Sequence, residues 1–210
     1  ALGRNGINVR AIAQGSSERN ISTVISTSDL RKALNVLHES FFETSYKQIN
    51  LFVVGVGNVG SRLIEQLRHQ QEYLQEQLKL QVRVIGVANS RQMHFDEDGI
   101  SLDSWKEKLA VGSAMNLEKF IEVAVGMNKR NSIFVDNTGS HVIAKTYKSF
   151  LKRSISVVTC NKIACSSAYS EYSELKSLAR KFNAQFLFET NVGAGLPVIN
   201  TLNDLLRSGD

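Results

Sequence analysis

The sequence predicts an α/β fold: a parallel sheet with helices on both faces. Three observations carry that expectation. Short apolar runs alternate with amphipathic stretches from residue 49 to the C-terminus, and the first run ends in a glycine-rich turn. The composition, 42% apolar and 21% charged over 210 residues, is that of an ordinary globular chain and excludes the disordered and low-complexity classes.

Each element follows from its local pattern. Ala1 to Gly6 reads as a helix end with Gly6 as its C-terminal cap, Val9 to Ala13 alternates loosely, and Gln14 to Asn20 is a polar turn. Ile21 to Ile25 is β-branched and strand-like, and Ser28 or Asp29 is expected to cap a helix carrying Leu30, Ala33, Leu34 and Leu37. This ββα piece is too small to bury a core alone and calls for a further strand or a partner. Residues 44–48 read as a polar linker. Ile49 to Val54 is then a strand, Leu63 to Leu78 marks a long helix, and Val82 to Ala88 is a second strand. In the polar stretch from Asn89 to Asn116 only a short helix around Trp105 and Leu109 is expected. Leu117 to Ala124 is helical, Ile133 to Val135 a strand, Val142 to Leu151 a helix and Ile155 to Thr159 a strand. Tyr169, Tyr172, Leu175 and Phe182 line a helix, Phe186 to Phe188 is a strand, and Leu196 to Leu206 is the last helix.

Charge and cysteine usage exclude several classes. The net charge of +5 is scattered, no five-residue window is mostly Lys or Arg, and no aromatics interleave with a basic stripe, so a nucleic-acid partner is not expected. No apolar run approaches the ~20 residues of a membrane span. Cys160 and Cys165 form no framework and no metal knuckle, which predicts a reducing, cytoplasmic setting. His38, His69 and His94 show no ligand spacing, and Tyr147, Tyr169 and Tyr172 read as helix packing and surface.

Gly55-Val56-Gly57-Asn58-Val59-Gly60 fits G-x-G-x-x-G after a strand and before an amphipathic helix, the setting that motif requires. Gly55 permits the tight turn, Gly57 lets backbone approach a pyrophosphate, and Gly60 lets helix pack on strand. The helix start supplies free N–H groups and the positive dipole end. The reading is a dinucleotide cradle in a Rossmann-like, doubly wound sheet; the alternative is a tight turn without ligand. The second strand ends in Ala88-Asn89-Ser90-Arg91, with no acid until Asp96, so a ribose 2′-OH lacks its usual carboxylate partner. Arg91 suits a 2′-phosphate, which favours NADP(H) or use of both NADP and NAD; otherwise it is a solvated loop arginine.

The remaining motifs resemble a known family. Glu189-Thr190-Asn191 followed by Val192-Gly193-Ala194-Gly195-Leu196-Pro197 looks like the signature of homoserine dehydrogenase, with Asp136-Asn137-Thr138 and Thr159-Cys160-Asn161-Lys162 as further segments in the right order. Ile12 to Ser22, with Gln14-Gly15-Ser16-Ser17-Glu18-Arg19-Asn20, resembles the ACT regulatory region of aspartokinase. Together they resemble the bifunctional aspartokinase–homoserine dehydrogenase family over the whole chain. The resemblance implies reversible hydride transfer between a nicotinamide and C4 of L-homoserine or L-aspartate 4-semialdehyde. It implies that residues 55–60 bind the dinucleotide with Asn89, Ser90 and Arg91, that Thr138 and Gly139 meet it near the nicotinamide, and that Lys162 stands beside nicotinamide and substrate. It further implies a monovalent cation, usually sodium, on the main-chain oxygens of Glu189, Val192, Ala194 and Leu196. An amino-acid effector at the ACT region, often threonine in related enzymes, and a homo-oligomer are expected too. Cys160 stands where the family often has Pro, and Gly139 where it often has Ser. The family's substrate-binding acids and proton-donating lysine are expected beyond Asp210, so the chain by itself is expected to bind cofactor without turning it over.

The expected division is 1–43 partial ACT-like segment, 44–48 linker, 49–191 dinucleotide-binding domain and 192–210 start of the substrate domain. Two other readings use the same residues. Cys160 near a cofactor face suggests a thioester-forming dehydrogenase, which needs a base such as His141; a buried, inert thiol is the simpler reading. A non-catalytic nucleotide- or amino-acid-sensing module is the other.

Overall fold

The computed structural model describes residues 1–15, 20–41 and 46–209. Ser16, Ser17, Glu18 and Arg19 of the ACT-like motif, Thr44 and Ser45 of the expected linker, and Asp210 lie outside the described residues.

The N-terminal segment pairs β1 (Val9–Gln14) with β2 (Ile21–Ile25) in an antiparallel ribbon, followed by α1 (Leu30–Phe41). A 3-10 turn over Thr27–Asp29 runs straight into α1, so neither Ser28 nor Asp29 caps the helix as expected. Gly6 does end its short helix in the left-handed region, at φ 71°. Ile7, Ala33 and Val36 form a small buried cluster, while Ile12, Ile21, Val24, Leu30 and Leu34 stay exposed. So the segment covers only part of its own apolar surface.

The second unit is a seven-stranded sheet. Its elements are β3 (Lys47–Val54), α2 (Asn58–Glu76), β4 (Leu80–Ala88), β5 (Gln92–Phe95), α3 (Trp105–Ala110), β6 (Ser113–Ala114), α4 (Leu117–Gly126), β7 (Ser132–Asp136), α5 (His141–Ala144), α6 (Tyr147–Leu151), β8 (Ser156–Thr159), α7 (Ile163–Ser166), α8 (Tyr169–Lys181), β9 (Phe186–Leu187) and α9 (Val198–Ser208). The strand order is β6-β5-β4-β3-β7-β8-β9. β4, β3, β7, β8 and β9 run parallel, as the alternation predicts.

Alternate residues of β3 explain why the sheet is buried on both faces. Phe52 and Val54 enter one core with Phe120, Phe134, Tyr147 and Phe150; Leu51 and Val53 enter the other with Ile64, Val84, Trp105 and Leu109. A strand covered on both sides reads as a continuous apolar run rather than an alternation. On the first face the rings of Phe134 and Phe150 stack at 4.0 Å, with Phe120 edge-on to Phe52.

Four further expectations need correction. Lys47 and Gln48 are not linker but the first residues of β3, paired with Leu80 and Gln81. The stretch from Asn89 to Asn116 holds two strands besides α3: β5 and β6 add to β4 in antiparallel sense, with Met93 buried between neighbours of lower burial. The expected helix from Val142 to Leu151 is two, because Thr146 turns its hydroxyl back onto the Ile143 carbonyl, 2.7 Å away, between α5 and α6. The last helix begins at Val198, after Pro197 rather than around it.

Candidate functional site

Four parallel strands end level with one another. Val54 pairs with both Ala88 and Asp136, and Asp136 pairs with Thr159. The chain leaves β3 for β4 on one side, and β7 takes the other side, so the carboxyl ends of β3 and β7 flank a topological switch point. In open α/β sheets ligands bind in that crevice.

The Gly-rich turn sits in it. Gly55 has φ +89°, and a Cβ there would come within 2.6 Å of Thr138 Cγ2. A Cβ on Gly60 would collide with the Gly55 carbonyl oxygen, so the helix start lies against the strand end. Gly57 differs: nothing lies within 4 Å of a Cβ placed there, so its backbone faces open space. α2 begins at Asn58, with no side chain capping it. Its first N–H groups therefore have no partner within the helix. Beside them, Asn137 Nδ2 is buried without a hydrogen-bond partner among the described residues, 3.2 Å from the Cβ position of Gly60. Unpaired donors around an open backbone fit an anionic ligand such as a pyrophosphate. Val56 is partly buried against the second core, and Val59 is exposed.

At the end of β4, Asn89 Oδ1 accepts from the N–H groups of Arg91 (2.7 Å) and Gln92 (2.8 Å). This Asx turn starts β5 and leaves Ser90 and Arg91 exposed at the rim.

Beneath the next two loops lies a buried polar network that residue patterns do not reveal. Asp136 and Tyr147 are fully buried, Thr159 and Asn161 nearly so. Asp136 Oδ1 accepts from Thr138 N at 2.7 Å. Its Oδ2 accepts from the Tyr147 hydroxyl at 2.6 Å and from Asn161 Nδ2 at 3.0 Å. The Tyr147 hydroxyl also lies 2.8 Å from Thr159 Oγ1. Asn161 Nδ2 reaches the Ser140 carbonyl too, and its Oδ1 accepts from Ile163 N. One carboxylate thus ties the loop carrying Thr138 and exposed Gly139 to the loop carrying Lys162. Lys162 itself is exposed at the start of α7, one residue after the buried Asn161. Tyr147, read from sequence as packing, belongs to this network. The available signal was a polar residue, Asp136, closing an apolar strand.

Cys160 does not suit nucleophilic chemistry. Burial, and then the nearby Asp136 charge, push its thiol above the ordinary range, the opposite of what a thioester-forming nucleophile needs. Cys165 is pushed up to about 11 by burial.

The Val192 to Leu196 loop is exposed and turns through left-handed Gly193 (φ 73°) and Ala194 (φ 51°). The Glu189 carbonyl accepts from Val192 N at 3.4 Å and the Leu196 carbonyl from Val198 N at 2.9 Å. The Glu189 carboxylate caps α9, accepting from Ile199 N at 2.8 Å and Asn200 N at 3.0 Å, a role no local spacing announces. Asn191 Nδ2 donates to the Asn161 carbonyl at 3.4 Å, which brings this loop to the same edge.

Comparison with known proteins agrees with this geometry. Residues 55–189 match the family described as homoserine dehydrogenase, NAD binding domain, and residues 1–41 match an ACT domain. The chain is 41% identical over 214 residues to a bifunctional aspartokinase/homoserine dehydrogenase of Haemophilus influenzae, covering 100% of this chain and 26% of that one. It is 40% identical over 212 residues to the chloroplastic bifunctional aspartokinase/homoserine dehydrogenase 2 of Arabidopsis thaliana, covering 100% of this chain and 23% of that one. The chain thus spans about a quarter of the length of these curated relatives. Among solved structures, a hyperthermophilic archaeal homoserine dehydrogenase in complex with NADPH matches with a TM-score of 0.60 at 29% identity, over 74% of this chain and 48% of that one.

Proposed function

Since this chain belongs to the homoserine dehydrogenase family through its NAD-binding domain and carries ACT-family residues before it, we propose that it is the dinucleotide-binding part of a bifunctional aspartokinase–homoserine dehydrogenase. The reaction is the interconversion of L-homoserine and L-aspartate 4-semialdehyde. The carrying observation is the convergence of the open Gly57 backbone, Thr138 and Lys162 on adjoining strand ends at the switch point.

The nicotinamide, when bound, exchanges a hydride with C4 of the substrate. Residues 55–60 and the Asn137 amide hold the pyrophosphate by N–H donation. Asn89 orients the rim, and Arg91 pairs with a 2′-phosphate, which makes NADP(H) the favoured form; no acid stands between Asn89 and Phe95 to oppose it. Thr138 and Gly139 border the nicotinamide. Asp136 and Asn161 hold the two loops in register, and the Lys162 ammonium counters the substrate carboxylate or the alkoxide that develops on its oxygen. A monovalent cation on the carbonyls of Glu189, Val192, Ala194 and Leu196 belongs to the same reading. The oxygen donors suit a hard ion, and the left-handed pair at Gly193 and Ala194 supplies the tight turn. The first 43 residues form the end of an ACT unit that takes an amino-acid effector, threonine being the first to try, and residues 192–210 open the substrate domain. A homo-oligomer and a reducing compartment such as the cytoplasm complete the proposal; the two free thiols suit the latter. No helix among the described residues is long and apolar enough to cross a membrane.

The test uses the protein at its natural length. Gly57→Asp should abolish NADPH binding, measured by calorimetry, because a carboxylate then fills the open face. Lys162→Ala should lower semialdehyde reduction by orders of magnitude with an unchanged melting temperature, since the side chain is exposed. NADPH binding that survives Gly57→Asp, or near-normal kcat in Lys162→Ala, overturns the assignment. Amino-acid binding without nucleotide binding would make the chain a sensor instead.

A further inference from the structure

Among the described residues Asp136 is the only Asp, Glu, Lys, Arg or His that is buried, and it is fully so. It closes β7 at the switch point, level with Thr159 on β8 and two residues before Thr138. Three donors reach its two oxygens: the Thr138 N–H at 2.7 Å, the Tyr147 hydroxyl at 2.6 Å and Asn161 Nδ2 at 3.0 Å. All three are neutral groups. They satisfy the oxygens and leave the net charge in place. Burying a charge costs far more than burying a neutral polar group. Had holding two loops been the whole task, a neutral acceptor would serve there at lower cost.

The charge reaches the rim of the site. Burial comes first in pushing up the Tyr147 hydroxyl and the Cys160 thiol, and the Asp136 charge comes next in both. Cys160 lies on the loop that carries Lys162. There the Asp136 carboxylate outweighs the Lys162 ammonium, which acts in the opposite sense. The physical reason is screening. Water surrounds the exposed ammonium, whereas the carboxylate is fully enclosed and in direct contact with the Thr138 amide. A group bordering Thr138 and Gly139 therefore sits in a field set more by Asp136 than by Lys162.

An oxidised nicotinamide ring carries one positive charge, which the gain of a hydride cancels. A nearby fixed anion favours the charged form over the neutral one. On the footing that this chain holds a dinucleotide with its nicotinamide beside Thr138 and Gly139, we propose that Asp136 sets the oxidation-state preference of the bound cofactor. Its carboxylate tightens the hold on NADP⁺ relative to NADPH, and so eases departure of hydride toward the semialdehyde. Asp136 touches neither cofactor nor substrate in this role. It is a positioning residue that acts through its field and through the Thr138 main chain. Even at roughly 12 Å and an effective dielectric of about 20, one unit charge on another changes affinity about tenfold.

The experiment measures the dissociation constants of NADP⁺ and of NADPH by calorimetry, on the natural-length protein and at low ionic strength. Asp136→Asn should raise the ratio of the NADP⁺ constant to the NADPH constant about tenfold. Tyr147→Phe breaks the same 2.6 Å hydrogen bond and keeps the charge, so it should lower the melting temperature and leave the ratio unchanged. That contrast separates the field from a structural role, which would weaken both forms alike. Asp136→Ser is measured beside Asp136→Asn, because it removes the charge without facing Asn161 Nδ2 with a second amide; it should move the ratio in the same sense. A ratio unchanged in the folded Asp136 variants, or shifted as far by Tyr147→Phe, overturns the proposal and leaves dinucleotide binding standing. Failure of the unaltered protein to bind either form overturns the dinucleotide reading, and this proposal with it.

Discussion

Replacing Tyr147 by Phe removes one oxygen atom and leaves the ring in place. That atom donates to Asp136 at 2.6 Å and lies 2.8 Å from Thr159 Oγ1, and the whole side chain is buried. No cavity large enough to matter is created, so the cost is that of the lost hydrogen bond. A bond to a charged acceptor contributes ~1.5–3 kcal/mol. For a chain of this size each kcal/mol shifts the melting temperature by about 2–4 °C, so Tyr147→Phe should melt roughly 3–12 °C lower. Trp105, the single tryptophan, is 8% exposed and packs in the core on the opposite face of the sheet. Its fluorescence therefore follows unfolding of the unit rather than local changes at the strand ends. Asp136→Asn completes a double-mutant cycle. Because the two residues share the bond between them, among the others each makes, the double variant should cost less than the two singles added together, with a coupling of about 1–3 kcal/mol. A Tyr147→Phe protein within about 0.5 kcal/mol of wild type, or strict additivity in the cycle, would refute the network as a source of stability.

Gly60→Ala should lower the urea midpoint by the equivalent of about 1–3 kcal/mol, because its Cβ meets the Gly55 carbonyl, whereas Gly57→Ala should leave it nearly unchanged; equal costs would contradict the geometry of the turn. Arg91→Ala should weaken NADPH binding about tenfold or more beyond any effect on NADH, the value of one charge-assisted contact, and equal losses for the two cofactors would remove the 2′-phosphate role. Burial and the Asp136 charge hold Cys160 protonated. Its contribution to stability is complete below the free thiol's value of about 8.5 and is lost as pH climbs through the higher folded value. Iodoacetamide should accordingly label Cys160 in the native protein more slowly at pH 8 than in the urea-unfolded chain, read by peptide mass; rapid labelling at pH 7 would contradict this.

The parallel core was readable because burial on both faces leaves an unbroken apolar run, as in Leu51 to Val54 and Val84 to Ala88. The glycine cradle was readable because its geometry requires glycine at fixed offsets. β5 escaped notice because only Met93 of its four residues is buried, so neither alternation nor a run appears. The break between α5 and α6 depends on one hydroxyl that turns inward, and Thr146 is as compatible with a continuous helix as with this turn. The cap on α9 comes from Glu189, ten residues before the first amide it accepts, beyond the reach of a capping box. The role of Asp136 required Tyr147 and Asn161 to be brought to it by separate elements. In each case the missing information was tertiary.

The sheet's two margins, β6 (Ser113–Ala114) and β9 (Phe186–Leu187), are only two residues long. A short margin offers a passing chain almost no row of free amides and carbonyls to copy. While the chain is being made, a nascent neighbour at high local concentration therefore finds little to zip onto along either border of this sheet. The longer ribbon of β1 and β2, with Ile12, Ile21 and Val24 exposed, is the more adhesive surface. In a cell short of chaperones, aggregates should seed from the first 25 residues, and charged substitutions at Ile12 or Val24 should raise soluble yield more than any change at β6 or β9.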